Sequence, residues 1–263
     1  MRHLGDYRRY APLFRNLVRR EVRQKYKGSL FGLLWTLANP ALMVGTYYVV
    51  FTFLFDAPVK PYAIFLLTGL SIWSFFLGGA QQAASSLVAN ASLVKKVRFP
   101  REIVPAAAVT ANAFTAAAMF AIALPLCLLF ASGSFITLVA LPPFIVFLGV
   151  FTLGFGLMLA AVNVYFRDVE HIIAAIATPW FFLTPIFYTF SALPTDRAPQ
   201  WLLHVLYYGN PITPYVSAIR EIVFAGDWPG LGDWVYCAAV AAITLVSGFA
   251  IFRRLEGDMA VEL

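Results

Sequence analysis

Two long stretches without a charged residue constrain this chain more than any other feature. Residues 61–94 are 34 consecutive uncharged residues, and residues 103–166 are 64 more. A helix needs about 20 predominantly apolar residues to cross the hydrocarbon core of a bilayer. The first stretch can therefore hold one membrane-spanning helix, and the second can hold two.

The composition agrees with an all-α polytopic membrane protein. Of 263 residues, 61% are hydrophobic and 12% are charged, whereas roughly 25% of residues in soluble domains are charged. The sequence lacks the short alternating segments of a transmembrane β-barrel. The charged residues, which give a net charge of +6, cluster beside the apolar runs. This placement is typical of cytoplasmic loops and argues against nucleic-acid binding.

Six transmembrane helices are predicted within residues 34–252 of a single domain covering 1–263. Their approximate bounds are 34–55, 62–82, 105–131, 137–164, 172–190 and 234–252. Pro58 and Pro61 end the first span at an outside turn, and Ser132-Gly133-Ser134 divides the long run. Pro179 and Pro185 are expected to kink the fifth span.

The segment 191–233 decides the topology, because it is apolar in patches yet contains five prolines. If it crossed the membrane, Arg253 and Arg254 would lie outside. If it enters the membrane from the outside and returns to the same side, 16 of the 19 Lys and Arg residues lie inside, as the positive-inside rule favours. We therefore expect an external re-entrant segment at 191–233 and a cytoplasmic tail at 253–263.

The N-terminal residues 1–33 are expected to contain an amphipathic interface helix and the entry to the first span. Apolar side chains recur at helical spacing between Tyr10 and Tyr26. The arginines that fall mostly on the opposite face are Arg15, Arg19, Arg20 and Arg23. This pattern is typical of a helix lying in the cytoplasmic interface. It fits a simple anchor and a docking surface for a partner about equally well.

Between the second and third spans lies a compact basic segment within the cytoplasmic stretch 83–104. The basic segment consists of Lys95, Lys96, Val97, Arg98, Phe99, Pro100, Arg101 and Glu102. Four cations against one carboxylate place it in the cytoplasm, where we expect it to couple a soluble partner to the membrane helices. A second charged loop contains Arg167, Asp168 and Glu170.

No nucleotide-binding or catalytic motif is present in the sequence. It lacks a Gly-Lys pair, and so a Walker A loop, and it lacks metalloprotease and nucleophile-elbow motifs. Cys127 and Cys237 lie in apolar spans as small hydrophobes rather than as a metal site or disulfide. No metal or cofactor is expected, and the predicted spans carry no ionisable residue near their centres. The driving energy is therefore expected to enter through a separate subunit.

Aromatic residues make up 16% of the chain and are concentrated in the first and fifth spans. An interfacial belt and ordinary packing account for many of them. A charge-poor aromatic conduit would also suit a glycan or lipid, since sugars stack on aromatic rings through their C–H faces. The candidate channel-lining residues are Tyr47, Tyr48, Phe51, Trp180, Phe181, Phe187 and Tyr188.

Several stretches resemble the permease subunits of type 2 ABC exporters for polysaccharides. Residues 26–40 read Tyr-Lys-Gly-Ser-Leu-Phe-Gly-Leu-Leu-Trp-Thr-Leu-Ala-Asn-Pro, similar to the opening signature of that family, with Phe31 where Leu or Val is common. The other matches are Phe99-Pro100-Arg101-Glu102 with Pro105, Arg167-Asp168-Val169, the proline-aromatic stretch 179–188, and Asn210-Pro211. Together they cover nearly the whole chain in order.

The resemblance implies a homodimer that forms a channel in a bacterial inner membrane, with both termini cytoplasmic. A dimeric ATP-binding-cassette ATPase, which holds ATP and Mg²⁺, would dock on the interface helix and the basic segment. The cargo would be a polyprenyl-diphosphate-linked glycan such as O-antigen, teichoic acid, galactan or capsule. Fold-level resemblance does not select among these cargoes.

Three other functions remain open on the sequence alone. A type 2 exporter of a drug or haem would share the spans and the ATPase. A membrane enzyme acting on polyprenyl-linked sugars would need clustered interfacial carboxylates, which the sequence does not show. A passive channel or scaffold would work without an ATPase.

Overall fold

The computed structural model describes residues 9–26, 34–53, 59–190 and 199–263. These residues form eleven α-helices and no β-strand, which confirms the all-α prediction for the described part of the chain. The helices are α1 (Ala11–Tyr26), α2 (Leu34–Phe53), α3 (Tyr62–Ala89), α4 (Ala91–Lys96), α5 (Ile103–Phe130), α6 (Leu141–Tyr165), α7 (Val169–Leu183), α8 (Gln200–Tyr208), α9 (Thr213–Arg220), α10 (Leu231–Leu255) and α11 (Met259–Glu262). A 3-10 turn, Thr137–Ala140, precedes α6, and a π-helical turn, Glu221–Ala225, follows α9.

Four helical stretches among the described residues are long and apolar enough to cross a membrane. They are α3, α5, α10 and the continuous stretch Thr137–Tyr165, which correspond to predicted spans two, three, six and four. The 20-residue α2 covers most of predicted span one. The total of six crossings and the re-entrant path of 191–233 stay predictions.

Helix α7 is shorter than the fifth span, which the sequence predicts at 172–190. It ends at Leu183 after 15 residues, about 22 Å of helix against a hydrocarbon core of about 30 Å. Pro179 is accommodated within α7. Pro185 ends the helix because the residue before a proline is forced out of the α conformation, and Thr184 is extended with ψ 136°.

Helix α3 is longer than predicted and includes residues 83–89 of the predicted cytoplasmic segment 83–104. It continues to Ala89, and Asn90 separates it from α4. The hydroxyls of Ser85 and Ser86 donate to carbonyls of the preceding turn, so these serines are satisfied inside the helix. The basic segment therefore begins within α4 and is tied directly to a membrane helix.

The charged segments come together at one end of the helix bundle, which we call the basic end. There Arg253 pairs with Glu102, and the Tyr165 hydroxyl donates to the carbonyl of Leu255 at 2.7 Å. The opposite or far end holds the turn before α3, the turn after α5 and helix α9. At the far end the Thr137 hydroxyl donates to the carbonyl of Ile222.

Several of the predicted features lie outside the described residues. These are residues 1–8, the signature positions 27–33, positions 54–58 of the outside turn, and positions 191–198 at the start of the external segment.

Helices α6 and α10 approach each other closely because glycines face each other at their contact. A side chain on Gly154 would collide with the backbone of Thr244 and Leu245, and one on Gly248 would collide with the carbonyl of Gly154. Small residues permit this close approach between membrane helices, where van der Waals packing drives association. The α6–α10 pair is therefore a rigid part of the bundle.

We predict that Gly248→Val destabilises the protein by about 1–3 kcal/mol, because the added side chain forces α10 away from α6. The measurement is the apparent melting temperature in detergent. Gly149→Val is the matched control, since a Cβ at Gly149 on α6 would meet nothing within 4 Å. Equal melting temperatures for the two variants would contradict the close packing.

Candidate functional site

The basic segment is anchored by apolar side chains and presents its cations to solvent. Val94 and Phe99 are 3% and 5% exposed, whereas Lys95, Lys96, Val97 and Arg98 are all exposed. Pro100 is buried beside Phe99. This alternation of buried anchors and exposed cations gives the segment a fixed position and a solvent-facing positive surface.

The anchors of the basic segment enter a hydrophobic cluster at the basic end that contains buried residues of seven helices. Val94 and Phe99 belong to it together with Leu17 of α1, Leu157 of α6 and Phe252 of α10. Glu102, only 4% exposed, accepts a hydrogen bond from Arg253 at 3.1 Å. A buried carboxylate needs such a partner to offset its lost hydration. The segment is therefore tied to α1, α6 and α10 at once.

Helix α1 lies across the basic end with a buried stripe and an exposed cationic face. Leu17 and Val18 are buried, and the predicted cations Arg15, Arg19 and Arg23 are exposed. The fourth, Arg20, turns inward: it is half-buried and donates to the Asn90 side chain at the junction of α3 and α4. Arg20 thus connects α1 to the start of the basic segment.

A polar cavity of about 440 Å³ lies near this end, among α1, α3, α5 and α7. The Lys25 amine donates to Asn112 Oδ1 at 2.9 Å, and Gln82 Nε2 donates to Glu21 at 3.2 Å. Burial of the amine lowers the pKa of Lys25, and the Glu21 carboxylate opposes that shift. The other polar lining groups are Gln81, Ser85 and Glu170.

The second charged loop contributes one of its three predicted residues to this cavity. Glu170 accepts a hydrogen bond from Asn163 Nδ2 at 2.8 Å, and the same nitrogen contacts the carbonyl of Ala84 at 3.1 Å. Arg167 and Asp168 are exposed. The loop therefore reaches α3 through Asn163, while its remaining charges face solvent.

The aromatic candidates divide into a packed group and an accessible group. Phe187 lies at the centre of the packed group, with ring centroids 4.9 Å from Tyr47, 5.5 Å from Phe51 and 4.9 Å from Phe181. Phe181 and Phe187 are 6% and 4% exposed. Such distances are typical of interlocked aromatic pairs, so this group joins α2 to the segment that follows α7.

The remaining three aromatic candidates have different surroundings. Trp180 packs on Phe76 at 5.1 Å and donates to Asn210 Oδ1 at 2.9 Å. Tyr48 is 39% exposed. Tyr188 is half-buried, and its hydroxyl donates to the carbonyl of Leu183 at 3.3 Å. Tyr48 and Tyr188 therefore keep accessible ring surface within one chain.

Asn210 links the turn before α9 to the broken end of α7. Its amide nitrogen donates to Thr184 Oγ1 at 2.9 Å, and its oxygen accepts the backbone N–H of Ile212 at 3.2 Å as well as the Trp180 indole. Pro211 follows and α9 begins at Thr213. The Asn-Pro pair thus fixes the entry of α9 against α7.

Arg220 at the end of α9 is buried without forming an ion pair among the described residues. Its guanidinium donates to the carbonyls of Phe65, Pro185 and Ile186, and it lies 3.7 Å from the centroid of the Phe65 ring. Pro185 and Ile186 follow the end of α7, where carbonyls lose their helical partners. Arg220 therefore joins α9, α3 and the broken end of α7.

The described residues contain no group of three or more His, Cys, Asp or Glu side chains placed to hold a metal ion. In this part of the chain, Cys127 and Cys237 are free and buried.

Comparison with known proteins identifies the family. Residues 12–224, from α1 to the π-helical turn, match the sequence profile of the ABC-2 type transporter family. The chain belongs to the ABC-2 type transporter family. It is therefore an integral membrane transport permease, in agreement with its multiple apolar helices.

Individual relatives of this ABC-2 transporter match along almost its entire length. An O-antigen export system permease protein RfbA of Myxococcus xanthus is 30% identical over 264 residues, covering 99% of this chain and 98% of that protein. An RfbA of Klebsiella pneumoniae is 28% identical over 248 residues, covering 91% and 90%. The polysialic acid transport protein KpsM of Escherichia coli is 22% identical over 253 residues, covering 92% and 93%.

Neither the polar cavity nor the contacts of Arg220 were predicted from the sequence of this ABC-2 transporter. The available signal was the set of amide side chains inside uncharged runs: Gln81, Gln82, Asn112 and Asn163. Polar side chains in membrane helices normally face the protein interior. Arg220 was counted as an external charge, and nothing local in the sequence indicates its burial.

We predict that Arg220→Met destabilises this transporter by about 2–4 kcal/mol. The loss leaves the Pro185 and Ile186 carbonyls without their donor, and an unmade buried hydrogen bond costs about 1–3 kcal/mol. Thermal unfolding in detergent is the measurement, with exposed Arg254→Met as the control. Unchanged stability would mean that desolvation of the guanidinium cancels its hydrogen bonds.

Proposed function

We propose that this chain is the channel-forming subunit of an ATP-driven exporter that moves a polyprenyl-diphosphate-linked polysaccharide across the bacterial inner membrane to the outside. Membership in the ABC-2 family and the RfbA and KpsM relatives support this function. The cargo is an O-antigen or a similar surface glycan.

The observation that carries the proposal is the anchoring of the basic segment. Its cations face solvent, while Val94, Phe99 and the Glu102–Arg253 pair tie it to α1, α6 and α10. A force applied to this surface by a soluble subunit would reach the membrane helices without passing through a loose loop. Packed elements transmit displacement because protein interiors have low compressibility.

The soluble subunit is a dimeric ATP-binding-cassette ATPase that holds the ATP and Mg²⁺. The chain itself has no Walker A sequence. Lys95, Lys96 and Arg98, together with Arg15, Arg19 and Arg23 of α1, offer exposed cations on adjoining elements. An acidic surface of the ATPase would complement them, and such complementarity fixes the register of an interface.

The path for the cargo uses polar and aromatic surfaces in turn. The amide and hydroxyl groups of the polar cavity, Gln81, Gln82 and Ser85, suit sugar hydroxyls at the entrance. Tyr48 and Tyr188 offer aromatic faces farther along. The packed group around Phe187 would have to separate for a channel to open, which agrees with movement of α2 and α7 during transport.

Two copies of the chain complete the channel in this proposal, with both termini in the cytoplasm. Helix α2 leaves Leu42, Val49 and Phe53 exposed at 66%, 52% and 74%. Helix α7 leaves Ile172, Phe182 and Leu183 similarly exposed. A pairing that buries part of these surfaces is consistent with the homodimer expected from the sequence resemblance.

We expect reversal of Lys95, Lys96 and Arg98 to Glu to reduce export at least tenfold and to lower ATPase co-purification, because the docking surface changes sign. The measurements are surface glycan on intact cells and the ATPase retained per permease. Lys60→Glu at the far end is the control. Normal export by the triple variant would refute the coupling role.

We expect the double variant Tyr48→Ala with Tyr188→Ala to slow glycan export severalfold while the permease still binds the ATPase normally. The reason is the loss of two accessible ring faces on the cargo path. The double variant Tyr48→Phe with Tyr188→Phe, which keeps both rings, is the matched control. An unchanged export rate would assign both tyrosines to packing alone.

A strain that lacks the permease distinguishes the second candidate function, which is export of a small molecule. If deletion of the permease leaves surface glycan intact but sensitises cells to a drug, the cargo is a small molecule. If the chain purifies from its native membrane without any ATPase, the exporter proposal fails.

A further inference from the structure

A basic groove and an apolar pocket meet at the basic end of the bundle. The groove has a volume of about 830 Å³, and its cations are Lys95, Arg98, Arg101 and Arg253. The apolar pocket, about 300 Å³, is lined by Phe14, Ile103, Ala106, Leu153, Leu157 and Phe249. Tyr10 lines both, so the two cavities adjoin, and we call them together the joint site.

The charge of this joint site is positive. Two carboxylates belong to it: Glu256 lines the groove, and Glu102 lines the pocket and pairs with Arg253. Arg101 donates to the backbone carbonyl of Glu256. Because a carbonyl is neutral, this contact does not compensate the positive charge of Arg101. Four cations against two carboxylates therefore favour an anionic group in the groove.

Tyr10 marks the boundary between the polar and apolar parts. Its hydroxyl lies 3.5 Å from the carbonyl oxygen of Arg98 on the groove side. Tyr10 also lines the apolar pocket beside Phe14. Tyrosine is favoured where one side of a ring is apolar and the other is hydrated, as at the surface of a bilayer.

The apolar pocket lies where the interface helix crosses three membrane helices. Phe14 comes from α1, Ala106 from α5, Leu157 from α6 and Phe249 from α10. The adjacent face of α10 carries Val246 and Ile243, which are 69% and 67% exposed and suit contact with lipid. An apolar chain can therefore enter from the hydrocarbon core while its charged head stays in the groove.

We infer that this joint site binds one anionic phospholipid per chain, with its phosphate in the basic groove and one acyl chain in the apolar pocket. Basic pockets beside membrane helices are typical sites for anionic headgroups. An acidic protein segment would fit the groove but would leave the apolar pocket empty. The inference goes beyond the proposed function, because it does not depend on which cargo is exported.

The test is native mass spectrometry of the full chain released from nanodiscs that contain equal amounts of phosphatidylglycerol and phosphatidylcholine with identical acyl chains. We expect the wild-type protein to retain one phosphatidylglycerol in preference to phosphatidylcholine. Ala106→Phe fills the apolar pocket and is expected to reduce that retention at least fivefold. Ala117→Phe, an exposed alanine on the same helix, is expected to retain the lipid as the wild type does.

Equal retention of the two lipids by the wild type would overturn the inference, as would unchanged retention by folded Ala106→Phe. If Ala106→Phe does not fold, Arg98→Gln provides the second test, since its side chain is exposed and carries headgroup charge. Unchanged preference in that variant would also overturn the inference. The inference would also be overturned if protein purified from its native membrane carried a polyprenyl phosphate that phosphatidylglycerol did not displace.

Discussion

Satisfaction of backbone polar groups is the constraint on which the rest of this structure depends. Lipid offers no hydrogen bonds, so a membrane helix can break only where the protein itself supplies partners. Helix α7 breaks at Thr184, and Arg220 donates to the carbonyls of Pro185 and Ile186 just beyond the break. The buried guanidinium thereby holds α9 against α3 and lets a non-helical segment persist inside the bundle.

At the basic end, a charged surface is held in a fixed position against apolar helices. Buried Val94 and Phe99 flank the exposed cations, and the Glu102–Arg253 pair adds a link to α10. The close α6–α10 contact at Gly154 and Gly248 extends that rigid unit into the membrane. In the proposed exporter, the same end would receive the ATPase and a bound anionic lipid, and Lys95 and Arg98 belong to both surfaces.

The sequence predicted the elements that depend on local composition. The lengths of the uncharged runs predicted α3, α5, α6 and α10, and the clustering of Lys and Arg predicted the basic segment. The prediction was less accurate where local signals compete: α7 ends at Leu183 because of Pro185, and α3 continues to Ala89 through serines that bond to their own helix. The candidate aromatics were identified by type, but the sequence could not separate buried Phe181 and Phe187 from accessible Tyr48.

By itself, the sequence determined that the chain is an all-helical membrane protein with basic stretches at its N-terminus and between its second and third predicted spans, because hydropathy and charge act residue by residue. Only the tertiary structure decided which polar groups meet. The inward turn of Arg20 to Asn90, the contact of Lys25 with Asn112, and the burial of Arg220 against three carbonyls join positions far apart in the chain. Such contacts depend on how helices pack, and the periodicity of a single helix does not encode its neighbours.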